Sequence, residues 1–438
     1  MRKKILICIH NPFALDNLFE TIKSLSDHAE ITVITTNYLL DKIDQKKYLQ
    51  KFKTINIQDF LIIPYYHSKN KDLFRGIISI TKNHFFLTKI KNNINFKNFN
   101  LCISDGKFFI WQRIIIDKLI STKCITVGLG VDAVLLPLDK FRELIQGQPV
   151  MEIVSSLHKL RETPKKRKKN SYFSKIKNIF ERYSDILLDR TILSIIFFGR
   201  NFKYGKLDFQ LMETKQFDYR VSFFYSSYFF WNKVYQYGKC YWSELLSLCR
   251  CEKNKIKNKA LFISTLWQNY GNNDDILKNI DKTNACFRKL KLTYPDLNQI
   301  DFRFHPMENE VMINFVKEKI KNFDDMKINF DIESSSLQEI ACNYVFAIGV
   351  MSGALLYLKK FCKNIDVYCL KELSEKIGGK YFYLKLMNEG IKIYDEKNES
   401  FKDNLIVSKN FKKTKKYNFN EIILSLLNKS KNIEINND

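Results

Sequence analysis

The sequence predicts an α/β protein made of two Rossmann-like, doubly wound domains. Three observations carry that expectation. Short apolar runs alternate with helix-period stretches, the pattern of strands joined by crossover helices in a parallel sheet. The alternation occurs twice, on either side of a polar segment at residues 253–259 (KNKIKNK). Chemistry-bearing residues recur where apolar runs end, and open α/β sheets bind ligands at the carboxyl ends of their strands. A chain of 438 residues with 45% hydrophobic content is long enough for two domains and apolar enough to bury a core in each. The expected division is an amino-terminal domain over 1–252, a carboxyl-terminal domain over 253–430 and a polar tail over 431–438.

In chain order, residues 4–9 read as a buried strand. HNPFALDN then turns into a helix carrying Leu15, Leu18, Ile22 and Leu25, and 31–35 is a second strand. No G-x-G-x-x-G follows the first strand, so dinucleotide binding there is not supported. His10 and Asn11 lie at that strand's carboxyl end and are expected to face a cleft. Further strands are expected at 61–65, at 100–103 before Ser104-Asp105-Gly106, and at 125–130, with helices at 77–94 and 108–120. Residues 150–250 read as a basic and aromatic insertion, with helices at 182–198 and 242–248.

In the second half, 260–264, 300–304, 328–332, 345–348, 366–369 and 391–394 read as strands. Helices are expected at 276–292, 354–361, 373–377 and 419–427. Ser334-Ser335-Ser336 with Glu339 has the form of a capping box.

The net charge of +25 suits an anionic membrane surface or a phosphorylated ligand. Its one dense run is Lys165–Lys169, and no regular basic-aromatic interleaving marks a nucleic-acid groove, so no nucleic acid is expected. The ten cysteines include no CxxC pair and read as buried free thiols of a reducing cytosol. No apolar run reaches the ~18–20 residues of a membrane span. The expected location is therefore cytoplasmic, peripheral on the inner face of the cytoplasmic membrane. No D-x-D stands at a strand end, so no metal and no cofactor are expected.

Two stretches carry chemistry. RFHPMENE (303–310) puts His305-Pro306 directly after a strand, with Glu308 following. VFAIGVMSGALLY (345–357) puts Ser352-Gly353 between a strand and an apolar helix, where free backbone N–H groups make an anion cradle. A phosphate-bearing ligand between His305 and Ser352 is the resulting expectation. Ser352 equally suits a plain helix N-cap.

With ALFISTLWQNYG (260–271), these stretches resemble the carboxyl half of bacterial CMP-sugar-dependent glycosyltransferases of the GT-B class. These are the sialyltransferases and polysialyltransferases of capsule and lipooligosaccharide synthesis. The resemblance covers residues 258–362, and the amino half in outline. It implies a GT-B-like fold, two Rossmann-like domains facing a cleft. It further implies metal-independent transfer of an acidic sugar, sialic acid or a relative, from a CMP-linked donor to a glycan or glycolipid acceptor. His305 would contact the donor phosphate and assist departure of CMP, and Pro306 would aim the ring. Ser352 and Gly353 would bind phosphate oxygens, and Ser264 and Thr265 would border the nucleotide or the sugar carboxylate.

The family carries an acidic-acidic-Gly motif in its amino half, whose second carboxylate is the general base. Here Ser104-Asp105-Gly106 keeps one carboxylate, whereas Thr126-Val127-Gly128, one strand later, keeps none. Asp105 is the preferred base. Asp132 in that role, or an inactive nucleotide-sugar-binding homologue, remain alternatives. So does a CDP-polyol phosphotransferase of wall polymers.

Overall fold

The computed structural model describes residues 2–64 except 38–39 and 41–44, and 94–128 except 106–109, 117–118 and 120–121. It further describes 218–245 except 225–227, 229–231 and 233–238, and 415–428. Between these lies 258–402 except 324, 331–336, 351, 363–364, 379–385 and 387–388. The expected helices at 77–94 and 182–198 and the basic run at 165–169 lie outside the described residues, save for Ile94.

The first sheet holds β1 (Lys3–Cys8), β2 (Ala29–Thr36), β3 (Ile57–Ile63), β4 (Leu101–Ser104), β5 (Lys123–Gly128), β6 (Tyr219–Ser222) and β7 (Lys239–Glu244). An eighth strand, β15 (Tyr417–Asn418), comes from near the end of the chain, and the order is β15-β7-β6-β5-β4-β1-β2-β3. Every pairing in it is parallel. From β1 the chain winds outward to β2 and β3, then returns to β4 on the other side. The β1–β4 junction is therefore the topological switch point, where the loops leave in opposite directions and uncover the sheet edge.

Local chemistry explains the first crossover. Asn11 caps α1 (Pro12–Asp16) by accepting the Phe13 N–H at 2.9 Å, and Pro12 opens the helix where its missing N–H costs nothing. In α2 (Phe19–Ser26), Phe19, Ile22 and Leu25 share the buried face. The helix α3 (Gln45–Lys53) leads to β3.

The second sheet has the order β10-β9-β8-β11-β12-β13-β14, from β8 (Lys259–Ile263), β9 (Gln299–Arg303), β10 (Lys327–Asn329), β11 (Phe346–Gly349), β12 (Asp366–Leu370), β13 (Lys392–Asp395) and β14 (Ser400–Lys402). All pairings but the edge hairpin β13–β14 are parallel, and the switch point is β8–β11. Phe262, Phe287 and Phe302 fill one face. The long helix α5 (Asn273–Thr293) starts at Asn272, whose side chain accepts the Asp275 N–H. Before it in the chain, the first domain contributes α4 (Ile110–Ile116).

Three expectations are corrected. Residues 239–244 form strand β7, not part of a helix starting at 242, because Cys240 to Trp242 pair with Arg220 to Ser222 of β6. A strand has a 2-residue side-chain period, and the short aromatic run YWS suits it as well as it suits a helix turn. The third strand begins at Ile57, earlier than 61. The second domain does not run uninterrupted to 430. Tyr417–Asn418 pair with Ser243–Glu244 of β7, and α10 (Phe419–Asn428) packs on α2 with Phe419 edge-on to Phe223 at 5.1 Å. The chain thus crosses back to the first domain. Cysteines 8, 102, 124, 240, 286, 362 and 369 are free thiols, as expected, but Cys342 is disulfide-bonded.

The two domains pack together. Phe224 meets Tyr357 edge-on at 5.4 Å, and Lys360 Nζ lies over the Phe224 ring. Lys51 of α3 pairs with Asp16 at 2.6 Å and reaches Glu339 of α7 (Leu337–Ile340) in the second domain at 3.4 Å. Glu339 is thus engaged in an ion pair; its serine partners in the expected capping box, 334–336, lie outside the described residues. Asp16, beyond the carboxyl end of β1, is linked through Lys51 to Glu339 of the second domain, so the carboxyl edge of the first sheet faces the second domain. Two Rossmann-like domains facing across their strand ends are the GT-B-like arrangement.

Among the described residues no helix is long and apolar enough to cross a membrane.

The β8–β11 contact imposes a tight constraint at Gly349. A Cβ there would stand 2.4 Å from the Ile263 carbonyl oxygen, the same oxygen that accepts the Val350 N–H. Gly349→Ala is expected to force the strand ends apart and to lower unfolding free energy by roughly 1–3 kcal/mol, the range for overpacking. Chemical denaturation of both proteins checks this.

Candidate functional site

The site is built on four strand ends of the second sheet and the first. On the second, β9 leads to Phe304 and His305. His305 O accepts the Glu308 N–H at 2.9 Å, closing a turn with Pro306 at its second position, where a fixed φ near −65° fits. The Met307 N–H donates to His305 Nδ1 at 3.1 Å. That bond makes Nδ1 the acceptor, so the neutral ring carries its proton on Nε2. Burial also pushes the imidazole below its ordinary pKa of 6.5, so it is neutral at pH 7. His305 is partly buried, not sealed in the core.

Strand β11 ends at Gly349, and Ser352 caps α8 (Gly353–Phe361) by accepting the Ala354 N–H at 3.2 Å. Leu355, Leu356, Leu358 and Phe361 hold that helix on the sheet. Gly353 is exposed at its first turn. Between β9 and β11 lies β8, so His305 and Ser352 flank the end of one strand. Neighbouring strands are ~4.8 Å apart, which puts these two loops about 10 Å apart.

Ser264 and Thr265, at the end of β8, are both buried. The Ser264 hydroxyl donates to Thr265 O at 2.9 Å and its amide donates to Arg303 O at 2.9 Å. They lie on the strand between the two flanking loops, and the Ser264 hydroxyl is committed to the backbone.

Glu308 links these loops. It is 3% exposed, and its Oε2 accepts the Trp267 N–H at 2.7 Å while Oε1 is buried without a hydrogen-bond partner. Burial raises its pKa, opposed by the amides of Trp267 and Asn309. The side chain therefore ties the loop after β8 to the turn bearing His305. The acidic residue after His-Pro was visible in the sequence. Its partner, 41 residues earlier, was not.

On the first sheet, Asp105 follows β4 beside the end of β1. The His10 N–H donates to both its oxygens, at 3.3 Å to Oδ1 and 3.1 Å to Oδ2, and Gln112 Nε2 donates to Oδ1 at 2.5 Å. Burial pushes the Asp105 carboxyl up to about 7, against the lowering effect of these donors. A carboxylate that titrates near neutrality at a sheet's switch point is suited to accept a proton. The His10 side chain does not face an open cleft as expected. It is 5% exposed and stacks on Trp111, whose Nε1 donates to His10 Nδ1 at 3.4 Å. Its aromatic partner, not its strand-end position, decides where the ring goes.

Thr126 and Val127, which carry no acid at the second motif position, are buried within β5, and Asp132, the alternative base, lies outside the described residues. Among the described residues no group of three or more His, Cys, Asp and Glu could hold a metal ion.

No family model matches this chain, and no curated protein matches it in sequence. Its fold resembles solved structures. A UDP-GlcNAc 2-epimerase from Neisseria meningitidis bound to UDP-GlcNAc shares 10% identity over 97% of this chain and 100% of its own, with a TM-score of 0.44. UGT2 of Phytolacca americana, complexed with UDP-2-fluoro-glucose and pterostilbene, shares 9% over 97% and 94%, with a TM-score of 0.44. MurG of Acinetobacter baumannii shares 8% over 91% and 88%, with a TM-score of 0.38. At these values the likeness assigns no activity, and the two-domain fold rests on the sheets themselves.

Removing the Glu308 carboxylate should loosen the loop that carries His305. Glu308→Ala is expected to cost about 1.5–3 kcal/mol, the range for hydrogen bonds to charged groups, and Glu308→Gln less, because its amide oxygen still accepts the Trp267 N–H. Urea unfolding of the two variants checks the order.

Proposed function

We propose that this protein is a glycosyltransferase that moves a sugar from a nucleotide-linked donor to a glycan or glycolipid hydroxyl. The observation that carries the reading is the pairing of two edges. A carboxylate titrating near 7 lies at the switch point of the first sheet, and a neutral imidazole and a helix N-terminus, on either side of β8, lie on the facing edge of the second.

Direct displacement fits these groups. Asp105 takes the proton of the acceptor hydroxyl as the new glycosidic bond forms. The bond from the sugar to the donor phosphate breaks, and its electrons leave on the phosphate oxygen. His305, as an Nε2–H donor, hydrogen-bonds that oxygen as charge develops. The N–H groups at the start of α8, with Ser352 and Gly353, receive the phosphate. Pro306 and Glu308 hold His305 in place, and Ser264 and Thr265 form the floor. No step calls for a metal or cofactor.

The donor is a CMP-linked acidic sugar, sialic acid or a relative. This finer choice is supported by the resemblance of residues 258–362 to CMP-sugar-dependent enzymes. The net charge of +25 favours work at an anionic membrane surface, where lipid-linked acceptors reside.

A donor screen with CMP-sialic acid, CDP-glycerol and UDP-GlcNAc tests the reading. CMP-sialic acid is expected to give turnover, with His305→Ala reducing it by about 10²–10⁴-fold, the range for a lost acid–base group. Turnover with UDP-GlcNAc or CDP-glycerol alone would overturn the donor. Thermal protection by CMP with no turnover of any donor would point to a binding protein. The rate is expected to rise with pH through about 7, because Asp105 must be ionised to act, while burial of His305 favours its neutral form. A transfer rate flat from pH 5.5 to 8.5 would remove Asp105 from the mechanism.

A further inference from the structure

We propose that Gln112 is the positioning residue of Asp105: its buried amide holds Oδ1 and fixes the orientation of the carboxylate that takes the acceptor's proton. This rests on the reading of Asp105 as general base.

Gln112 lies on α4 and is 0% exposed. Its Nε2 is 2.5 Å from Asp105 Oδ1, and 3.4 Å from both Ser104 Oγ and Cys8 O. The His10 amide is shared between the two carboxylate oxygens. Among the described residues Oδ1 thus takes donors from Gln112 and the His10 amide, and the backbone amide of Asp105 also donates to the carboxylate. Gln112 is the one side chain among these donors, so it fixes the plane in which the carboxylate meets the nucleophilic hydroxyl.

The choice of an amide has a chemical consequence. Gln112 donates at every pH and brings no full charge. A lysine or arginine at 2.5 Å would pin the carboxylate in its ionised form and make it a weak base. Among the described residues, the groups that donate to the carboxylate are the His10 amide from the end of β1, the amide of Asp105 itself and Gln112 from α4. The His10 ring is turned to Trp111, and no charged side chain contributes to the titration of Asp105. The carboxylate therefore stays basic enough to accept a proton near neutral pH, while its orientation is fixed.

A merely structural Gln112 would knit α4 to β1 and β4 through Cys8 O and Ser104 Oγ and leave the titration of Asp105 unmoved. The full chain with Gln112→Met, similar in length but without a donor, separates the two. Asp105 is titrated by ¹³C carboxyl NMR in the unliganded protein, its signal assigned by Asp105→Asn, and kcat for transfer from CMP-sialic acid is followed against pH. We expect the Asp105 midpoint to rise by about one unit, which at a fixed pH below the midpoint is about a tenfold loss of ionised base. The acid limb of kcat should move by the same amount, with its alkaline plateau little changed. Gln112→Asn, which retracts the amide by one methylene, should shift both in the same direction and guards against a folding defect. Adding Gln112→Met to Asp105→Asn should cost nothing further. An unmoved Asp105 midpoint in both Gln112 variants would overturn the proposal. A midpoint that moves while the acid limb of kcat does not would uphold the contact and remove Asp105 as the base.

Discussion

The structure depends on one topological constraint, the reversal of winding at the centre of each parallel sheet. Crossovers in parallel sheets are right-handed, so strands added on the two sides of the first strand send their helices to opposite faces. Where the direction reverses, no helix covers the carboxyl edge. In the first sheet this happens between β1 and β4, and in the second between β8 and β11. Asp105 stands at one junction, and Ser264 with Ser352 at the other. His305 comes from β9, the next strand out. The site residues are thus gathered by winding, from segments far apart in the chain.

Burial works in opposite senses on the two titrating groups. Removing water disfavours the charged form of each. For Asp105 that raises the pKa toward neutrality and makes the carboxylate a better proton acceptor. For His305 it lowers the pKa and keeps a neutral donor on Nε2, with Nδ1 held by the Met307 amide. Among the described residues no charged side chain is a cause of either shift.

The two domains are coupled through their chain ends as well as their facing edges. The return of β15 and α10 to the first domain makes the carboxyl-terminal segment a strap. Lys51 adds a polar link by bridging Asp16 and Glu339. Lys51 and Asp16 are mostly buried, and Glu339 is partly exposed. They set orientation, since Asp16 follows directly from the loop after β1.

Much of this was legible in the amino-acid order. Apolar runs at 260–264 and 345–348 and the stretch before His305 mark strands because short, bounded hydrophobic segments have few other uses. Ser352 before an apolar helix reads as a cap from local chemistry alone, and so does Pro306 as a turn residue. The strand at 239–244 was not legible, because a short aromatic run fits either period and only its pairing with β6 decides. The ring of His10 was not legible either, because a strand-end position says nothing about whether an indole such as Trp111 will cover it.

What the sequence determined by itself is therefore the local grammar: two series of strands and helices, the capped helix at Ser352, and the turn that presents His305. Tertiary structure decided the rest. It joined Glu308 to Trp267, Gln112 and the His10 amide to Asp105, and the last strand to the first domain. The physical reason is range. Caps, turns and periodicity depend on neighbours within a few residues, whereas burial, carboxylate basicity and hydrogen bonds across strand ends arise only when distant segments exclude water together.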